Sequence, residues 1–467
     1  MLSLFGSSAV SVFQENLGKT ERRAGISLAL IYAFRMLGLF MIMPVFALYA
    51  ETLPEATPFL AGLALGVYGL TQALLQIPFG MLSDRIGRKP VIFAGLVIFA
   101  LGSLVAAQAD SIYGIIFGRA LQGSGAIAAA LMALAADLSR EEHRTKMMAL
   151  IGASIGVAFA AAMVLGPVLN QWIGISGIFA STAVLALIGI AILYLVVPDP
   201  LRTQFHSDAQ VQSGALVEVI RDGQLLRLDF GIFILHFALM CVFLVMPLEL
   251  RDTASLAAAD HWKLYLPVFA LSLVIMLPFV IIAERNRRMK QVFLGAIATV
   301  ALAVTGFIYS SDLITLCLSL VLFFAGFNLL EASLPSLISK TARATQKGTA
   351  MGVYSSSQFM GAFAGGVVGG AAHGHWGVDG LYITVVVVLL LWLVLASSMQ
   401  QPRYLSTYLL NIGVRNESEV SGLTHELAAV AGVAEVSVIA DEGVAYLKVE
   451  KHVLDDKKLL SFMADNN

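Results

Sequence analysis

Residues Gly80 to Lys89 read G-M-L-S-D-R-I-G-R-K and set one acid, Asp84, among Arg85, Arg88 and Lys89. Gly80 and Gly87 permit close packing and a tight turn. A carboxylate that faces a helix N-terminus, with arginines bridging neighbouring helices, can latch one conformation of a membrane protein. Charge asymmetry across a membrane would explain the basic residues alone, but neither the glycines nor the acid. We therefore expect a conformational latch built from Gly80, Asp84, Arg85, Gly87 and Arg88.

A second group of residues could move protons. Arg119 stands about 12 Å into an apolar run, counting 1.5 Å per residue. An arginine so deep needs a wet cavity or a partner. It either tunes a proton-carrying acid or serves as a hydrogen-bonding post between loops. Glu331 shares one helix face with Asn328 and Pro335 at i, i+3 and i+7 spacing. It is the only carboxylate that reads as clearly inside a second-half span, and none reads as buried in the first half. Glu331 is thus the leading proton carrier, with an ion pair to Arg285 or Arg288 as the alternative. His236 could titrate near neutral pH or could simply pack.

Polar residues on otherwise apolar faces are candidate linings of a substrate cavity: Arg35, Tyr68, Gln72, Gln122, Asn328, Tyr354 and Gln358. Each could equally bond across helices. Gly123 and Gly125 suit close helix packing, and Gly166-Pro167 kinks or thins its helix. No Cys or His set has metal-ligand spacing, and no cofactor is expected.

These residues must be held by membrane-spanning helices. The chain has 467 residues, 58% hydrophobic and only 13% charged, about half the charge of a soluble domain. Net charge is −2, which gives no support to nucleic-acid binding. Cys241 and Cys317 lie in apolar runs, so no disulfide framework is expected. The first 18 residues lack a charged leader and a cleavage site, so no cleaved signal peptide is expected. Runs near 20 residues long predict spans at about 25–49, 59–82, 90–109, 112–138, 146–169, 176–197, 228–250, 262–283, 291–309, 312–339, 348–370 and 378–399.

Basic residues set the direction. Lys19, Arg22, Arg23, Arg85, Arg88, Lys89, Arg140, Arg144, Lys146, Arg202, Arg221, Arg227, Arg285, Arg287, Arg288, Lys290, Lys340, Arg343 and Lys347 fall on one side. The opposite links carry only Arg251 and Lys263. Both termini are expected to be cytoplasmic. Pro78-Phe79 through Asp84-Arg85 to Arg88 lines up with Pro278-Phe279 through Glu284-Arg285 to Arg288 at an offset of 200 residues. Two parallel halves follow, with a binding site expected between them near the midplane.

The organisation expected is a cytoplasmic segment at 1–24, a six-helix bundle at 25–197, a linker at 198–227, a second bundle at 228–399 and a soluble tail at 403–467. Alternating runs at 404–412, 433–440 and 444–450 read as strands. Val420, Leu423, Leu427 and Val430 share a helix face that Gly432 would end. Asp441-Glu442-Gly443 reads as a hairpin turn, and a further helix is expected near 455–464. The tail is a small ferredoxin-like plan without a clear last strand. Its fold class is therefore α+β, attached to an all-α membrane protein of twelve helices in two pseudo-symmetric bundles.

Over nearly the whole chain these motifs resemble the major facilitator superfamily. Gly80–Lys89 matches its signature loop, and Arg119-Ala-Leu-Gln122-Gly123-Ser-Gly125 is similar to the arginine motif of its proton-coupled drug antiporters. The fifth-span antiporter pattern G-x-x-x-G-P-x-x-G stands here as Ala162-Met-Val-Leu-Gly166-Pro167-Val-Leu-Asn170, with Gly-Pro kept and the outer glycines absent. The resemblance extends to bacterial inner-membrane members with a ferredoxin-like C-terminal domain. It implies that Asp84 faces the start of the eleventh span near Gly348 in the outward-open state, with Arg85 and Arg88 completing the network. It also implies an exporter of drugs or metabolites.

The expected function is alternating-access antiport of a small amphiphilic molecule against protons, by a monomer in the lipid bilayer of a bacterial inner membrane. The alternatives are a uniporter or symporter, or a membrane sensor whose tail binds a small ligand or ion. A membrane enzyme is not expected, because no spaced His, Ser and Asp set occurs within the spans.

Overall fold

The computed structural model describes residues 18–199, 213–343, 346–400, 406–413, 417–439, 443–450, 453–455, 458–459 and 461–462. The expected segment at 1–17, linker residues 200–212 with Arg202, the turn residues Asp441 and Glu442, and much of the helix expected at 455–464 lie outside these.

Helices α1 (Lys19–Phe40) and α2 (Met43–Ala50) together cover the first expected span. The span breaks at Met41–Ile42 because Pro44 cannot donate to the ladder and its ring crowds the preceding turn. Gly166 exploits the break, packing closely on the Met41 carbonyl. Next come α3 (Pro58–Ile86) and α4 (Arg88–Ala107), separated only by Gly87 at φ 99°. The fourth expected span is also divided, into α5 (Ile112–Ser124) and α6 (Ala128–Asp137).

Helix α7 runs from Glu141 to Leu195, 55 residues or about 80 Å of helix. That is far longer than the roughly 30 Å hydrocarbon layer. It is two spans joined at Gly174, where φ 63° and ψ −179° are open only to glycine. After α8 (Ser213–Arg221) come α9 (Gly223–Asp252), α10 (His261–Arg285), α11 (Met289–Ile308) and α12 (Leu313–Thr341). Helix α13 (Lys347–Ser397) repeats the device of α7, with Gly377 at φ 71° and ψ −168°. Among the described residues ten segments are long and apolar enough to cross a membrane, and two of these have double length. Their arrangement is that of a multi-pass membrane protein with about ten to twelve spanning helices.

The chain forms two compact units. The first holds residues 1–206 with 242–266 and 366–374. Within it Gly62 meets Gly366 and Gly370 meets Pro58 backbone to backbone, so no side chain fits at either glycine. Arg251 bonds Glu51 at 2.5 Å in the same unit, at the helix ends away from the basic clusters.

The second unit holds 207–241, 267–365 and 375–467. Its tail contains β1 (Ser406–Asn411), α14 (Glu417–Ala428), β2 (Val433–Ile439) and β3 (Val444–Val449). The three strands form one antiparallel sheet in the order β1-β3-β2. Gly432 and Gly443 take positive φ at the ends of β2 and before β3. Ala445, Leu447 and Val449 join Leu410, Ile412 and Leu427 in the tail's core.

Alternation in β3 predicts one wet face, yet all six of its residues are buried. The other face, bearing Lys448, is covered by the end of α12. Lys448 Nζ donates to the Lys340 carbonyl at 3.0 Å and to that of Ala342. The Lys340 carbonyl belongs to the last turn of α12 and that of Ala342 to the residue capping it, where carbonyls lack intrahelical partners and favour a cation. Burial holds the Lys448 ammonium below the usual lysine range, although Glu435, 3.6 Å away, opposes the shift.

Candidate functional site

At the basic end of the first unit the signature loop closes on Arg88. Its Nη1 donates to Ser83 Oγ at 2.7 Å and to Asp84, and its Nε to Asp137 Oδ2 at 3.2 Å. Gly80 lets α6 approach, since a side chain there would press on Ala129. Ser83 in turn donates to the Gly80 carbonyl at 2.6 Å. Lys89 pairs with Asp199 at 2.6 Å. The Asp137 side chain is fully buried, so a first-half carboxylate is buried after all. It ends an apolar run, which made it read as a flank, but α6 packs its last turn under α4. Arg85, expected in the network, is exposed and has no ion pair among the described residues. Asp84 and Arg88 are four positions apart across the Gly87 turn, whereas Arg85 points away.

Deeper in the same unit two arginines share the Tyr68 ring, with guanidinium carbons 5.9 Å (Arg35) and 5.1 Å (Arg119) from its centroid. Arg35 donates through Nη2 to Gln72 and to the Gly125 carbonyl at 3.0 Å. That carbonyl is accessible because the helix stops there. Arg119 donates to the Ala64 and Leu65 carbonyls at 3.4 and 3.3 Å and to Gln122 Oε1 at 3.1 Å. Gln122 passes the chain on to Ser103 Oγ at 2.8 Å. Gly123 brings α5 against the Tyr68 carbonyl, and Gly125 against that of Gly95. Of the expected cavity linings, Arg35, Tyr68, Gln72 and Gln122 are therefore buried and held together as one polar core. Neither deep arginine meets a carboxylate among these contacts.

The second unit gathers the expected proton-handling residues. Gln358 Nε2 on α13 lies 3.1 Å from Glu331 Oε1 on α12 and 2.9 Å from His236 Nε2 on α9. His236 Nε2 and Glu331 Oε2 are 3.9 Å apart. The carboxamide donates to both, which makes His236 Nε2 an acceptor. Glu331 thus bonds Gln358 rather than Arg285 or Arg288, because its i+3 face turns toward α13 and not toward the basic loop. Asn328 donates to Ser272 Oγ at 3.1 Å on α10, one turn away. Tyr354 is buried, and its hydroxyl has no hydrogen-bond partner among the described residues. Helices α9 and α13 can carry these groups side by side because Gly361 and Gly365 rest on the Phe233 and Phe237 backbone.

One residue of this group was missed. Asp229 of α9 is 4% exposed, and both its carboxylate oxygens lack a hydrogen-bond partner among the described residues. Glu331 is therefore not the only carboxylate inside a second-half span. Asp229 opens its apolar run, so it read as a boundary residue. Its seven-residue spacing from His236, two turns on one face, was the available signal.

Comparison with known proteins agrees with this architecture. A model described as Major Facilitator Superfamily matches residues 28–285 and 228–407. The inner membrane transport protein YajR of Escherichia coli (strain K12) is 45% identical over 434 residues, covering 93% of this chain and 95% of that protein. The multidrug resistance protein MdtH of Aeromonas hydrophila subsp. hydrophila is 26% identical over 363 residues, 74% of this chain and 87% of that one. Among solved structures, the human organic anion transporter MFSD10 superposes with a TM-score of 0.62 at 19% identity, over 81% of this chain and 100% of that chain. At that identity the likeness speaks for the fold alone.

Proposed function

This chain belongs to the major facilitator superfamily, and from that premise we propose that it is a proton-driven antiporter exporting small amphiphilic molecules by alternating access. The observation that carries the reading is the Glu331–Gln358–His236 cluster. A carboxylate and an imidazole inside apolar spans are costly, and such groups are functional by default. Protonation of Glu331 changes its charge and its bond to Gln358, and so biases two conformations that bind the proton unequally. The membrane potential adds about 2.3 kcal/mol per charge per 100 mV. Similarity to a protein named for multidrug resistance supports export as the direction.

In this reading the basic helix ends and both termini face the cytoplasm of a bacterial cell, and the protein sits in its inner membrane as a monomer. Asp84 and Arg88 form the latch that each cycle breaks, and Arg119 holds the α3–α5 contact rigid. Uphill flux of amphiphilic cations such as ethidium into inverted, reconstituted vesicles should stop when the pH gradient and the voltage are collapsed. Export that persists unchanged rejects the coupling. Glu331→Gln should remove gradient-driven flux while leaving exchange.

A uniporter or symporter is the rival reading, favoured by Ala162 and Asn170 where the antiporter pattern has glycines. The tail, which we read as ferredoxin-like and ligand-binding, has a docking contact of its own through Lys448. Deleting residues 403–467 separates its roles: surviving transport makes the tail regulatory, and transport absent from both forms supports a sensor.

A further inference from the structure

We propose that Asp229 is a second proton-carrying carboxylate of this transporter, exchanging its proton with Glu331 by way of the Tyr354 hydroxyl and delivering it to the basic helix ends. The inference rests on the proton-coupled reading above and extends it to a path.

The groups form a ladder in depth. Helices α9 and α13 start at their basic ends, at Gly223 and Lys347, and α12 finishes at its basic end at Thr341. At 1.5 Å per residue, Asp229 lies about 9 Å in and Tyr354 about 10 Å. Glu331 lies about 15 Å in, Gln358 about 16 Å and His236 about 20 Å. Gly361 rests on the Phe233 backbone, so the start of α13, with Tyr354, runs beside the start of α9, with Asp229, while Gln358 one turn further along α13 bonds Glu331. Tyr354 sits one turn from Gln358 on the same face of α13.

The unmet hydrogen-bonding capacity follows the same line. Both oxygens of Asp229, the Tyr354 hydroxyl and Glu331 Oε2 are buried without a hydrogen-bond partner among the described residues. An ionised carboxylate stranded in apolar surroundings is far too costly to persist. A structural acid would have recruited donors, as Asp137 recruits Arg88. Asp229 has no donor among the described residues, and the titratable groups that the packing of α9, α12 and α13 brings to its region are Tyr354 and Glu331. A carboxyl group that alternates between neutral and charged needs this kind of place, unpaired in one state and hydrated in another.

The transfer balances. The Tyr354 hydroxyl bonds neither acid in this structure, so the exchange follows a movement that brings it within reach of both; the Glu331 acid then gives its proton to the Tyr354 oxygen as the hydroxyl gives its own to the Asp229 carboxylate. The products are a Glu331 carboxylate, an unchanged phenol and a neutral Asp229. No other reactant is required.

The test is infrared difference spectroscopy of the full chain in liposomes, titrated with pH, in the carbonyl-stretch region of neutral carboxylic acids. It needs no substrate. Wild type should lose two buried carboxylic-acid bands as pH rises. Asp229→Asn should lack one and Asp229→Glu should restore it, shifted. Glu331→Gln should remove the other and lower the pH at which the Asp229 band disappears, because a neighbouring negative charge is gone. Tyr354→Phe should weaken that linkage. An Asp229→Asn spectrum identical to wild type overturns the proposal, as does an Asp229 band indifferent to Glu331→Gln. Failure of the underlying reading appears elsewhere, as wild-type flux that ignores collapsed gradients while both bands remain. Elution of Asp229→Asn as a folded monodisperse peak separates lost protonation from lost folding.

Discussion

Replacing Asp137 with Asn should destabilise the protein far more than replacing Asp84, although Asp84 is the acid inside the recognisable motif. The Asp137 side chain is 0% exposed and meets Arg88 Nε at 3.2 Å, and the Arg88 side chain is itself only 3% exposed. Asp84, on the other edge of the guanidinium, is 32% exposed. Stranding one charge of a fully buried pair costs about 3–5 kcal/mol. Asp84 and Ser83 still hold Arg88 in Asp137→Asn, so about 2–3 kcal/mol is the expected loss, close to one charge-assisted hydrogen bond. Asp84→Asn gives up an attraction that solvent already weakens, worth about 1 kcal/mol or less. Thermal unfolding in detergent can be followed in a Cys317→Ser background by a thiol-reactive dye, since the remaining Cys241 is buried. Asp137→Asn should melt well below wild type and Asp84→Asn close to it. Equal losses, or the reverse order, would refute the burial argument. Asp84→Asn should still slow transport cycling at normal expression, and wild-type flux from that variant would remove the latch.

Gly377→Ala should cost about 1–3 kcal/mol from backbone strain alone, because nothing lies within 4 Å of an added Cβ and only φ 71° resists it. The same melting assay reads it, and an unchanged midpoint would show that the turn relaxes freely. Lys448→Met should release the tail from the end of α12. Losing a charged donor to two carbonyls is worth about 1.5–3 kcal/mol, so limited proteolysis of the tail should accelerate about tenfold or more. The pH dependence has a definite sign. The docked lysine binds its proton less tightly than a free one, whose ordinary value is 10.5, so docking should strengthen as pH rises toward that value. Protection that falls over that range would contradict the burial of Lys448.

Span-length hydropathy was enough to place the apolar helices, and Gly174 and Gly377 occupy the links expected between spans. What hydropathy could not reveal is where a terminal residue ends up. Asp137 and Asp229 each stand at the edge of an apolar run, and the edge of a run says nothing about whether a neighbouring helix covers it. The breaks at Met41–Ile42 and at Gly125–Ile127 were averaged away by the same window. Alternation in β3 misled for a related reason, since Lys448 is a polar residue whose partner carbonyls lie more than 100 positions away in sequence. Local pattern fixes which face a side chain takes, while tertiary packing decides whether that face is wet.

The distribution of buried charge then separates fixed parts from switching parts. A guanidinium has only donors, and every helix offers it acceptors, because a carbonyl already bonded within a helix keeps a second lone pair. Arg119 uses the Ala64 and Leu65 carbonyls in this way, and Arg35 uses the Gly125 carbonyl at a helix break. Tyr68 and Phe99 add ring faces. Arg119 is satisfied in this way with no anion, whereas Arg35 keeps Nε and Nη1 buried without a hydrogen-bond partner among the described residues. A carboxylate has only acceptors, and a helix interior offers it no free N–H, since each is already bonded one turn back. Glu331 therefore leans on the single Gln358 amide, and Asp229 has no donor among the described residues. An acid so placed must take up a proton or wait for a moving partner. By this asymmetry Arg119 is a fixed member of the first unit's polar core, and the acids of the second unit are the groups that the proton-driven reading proposed above expects to change charge.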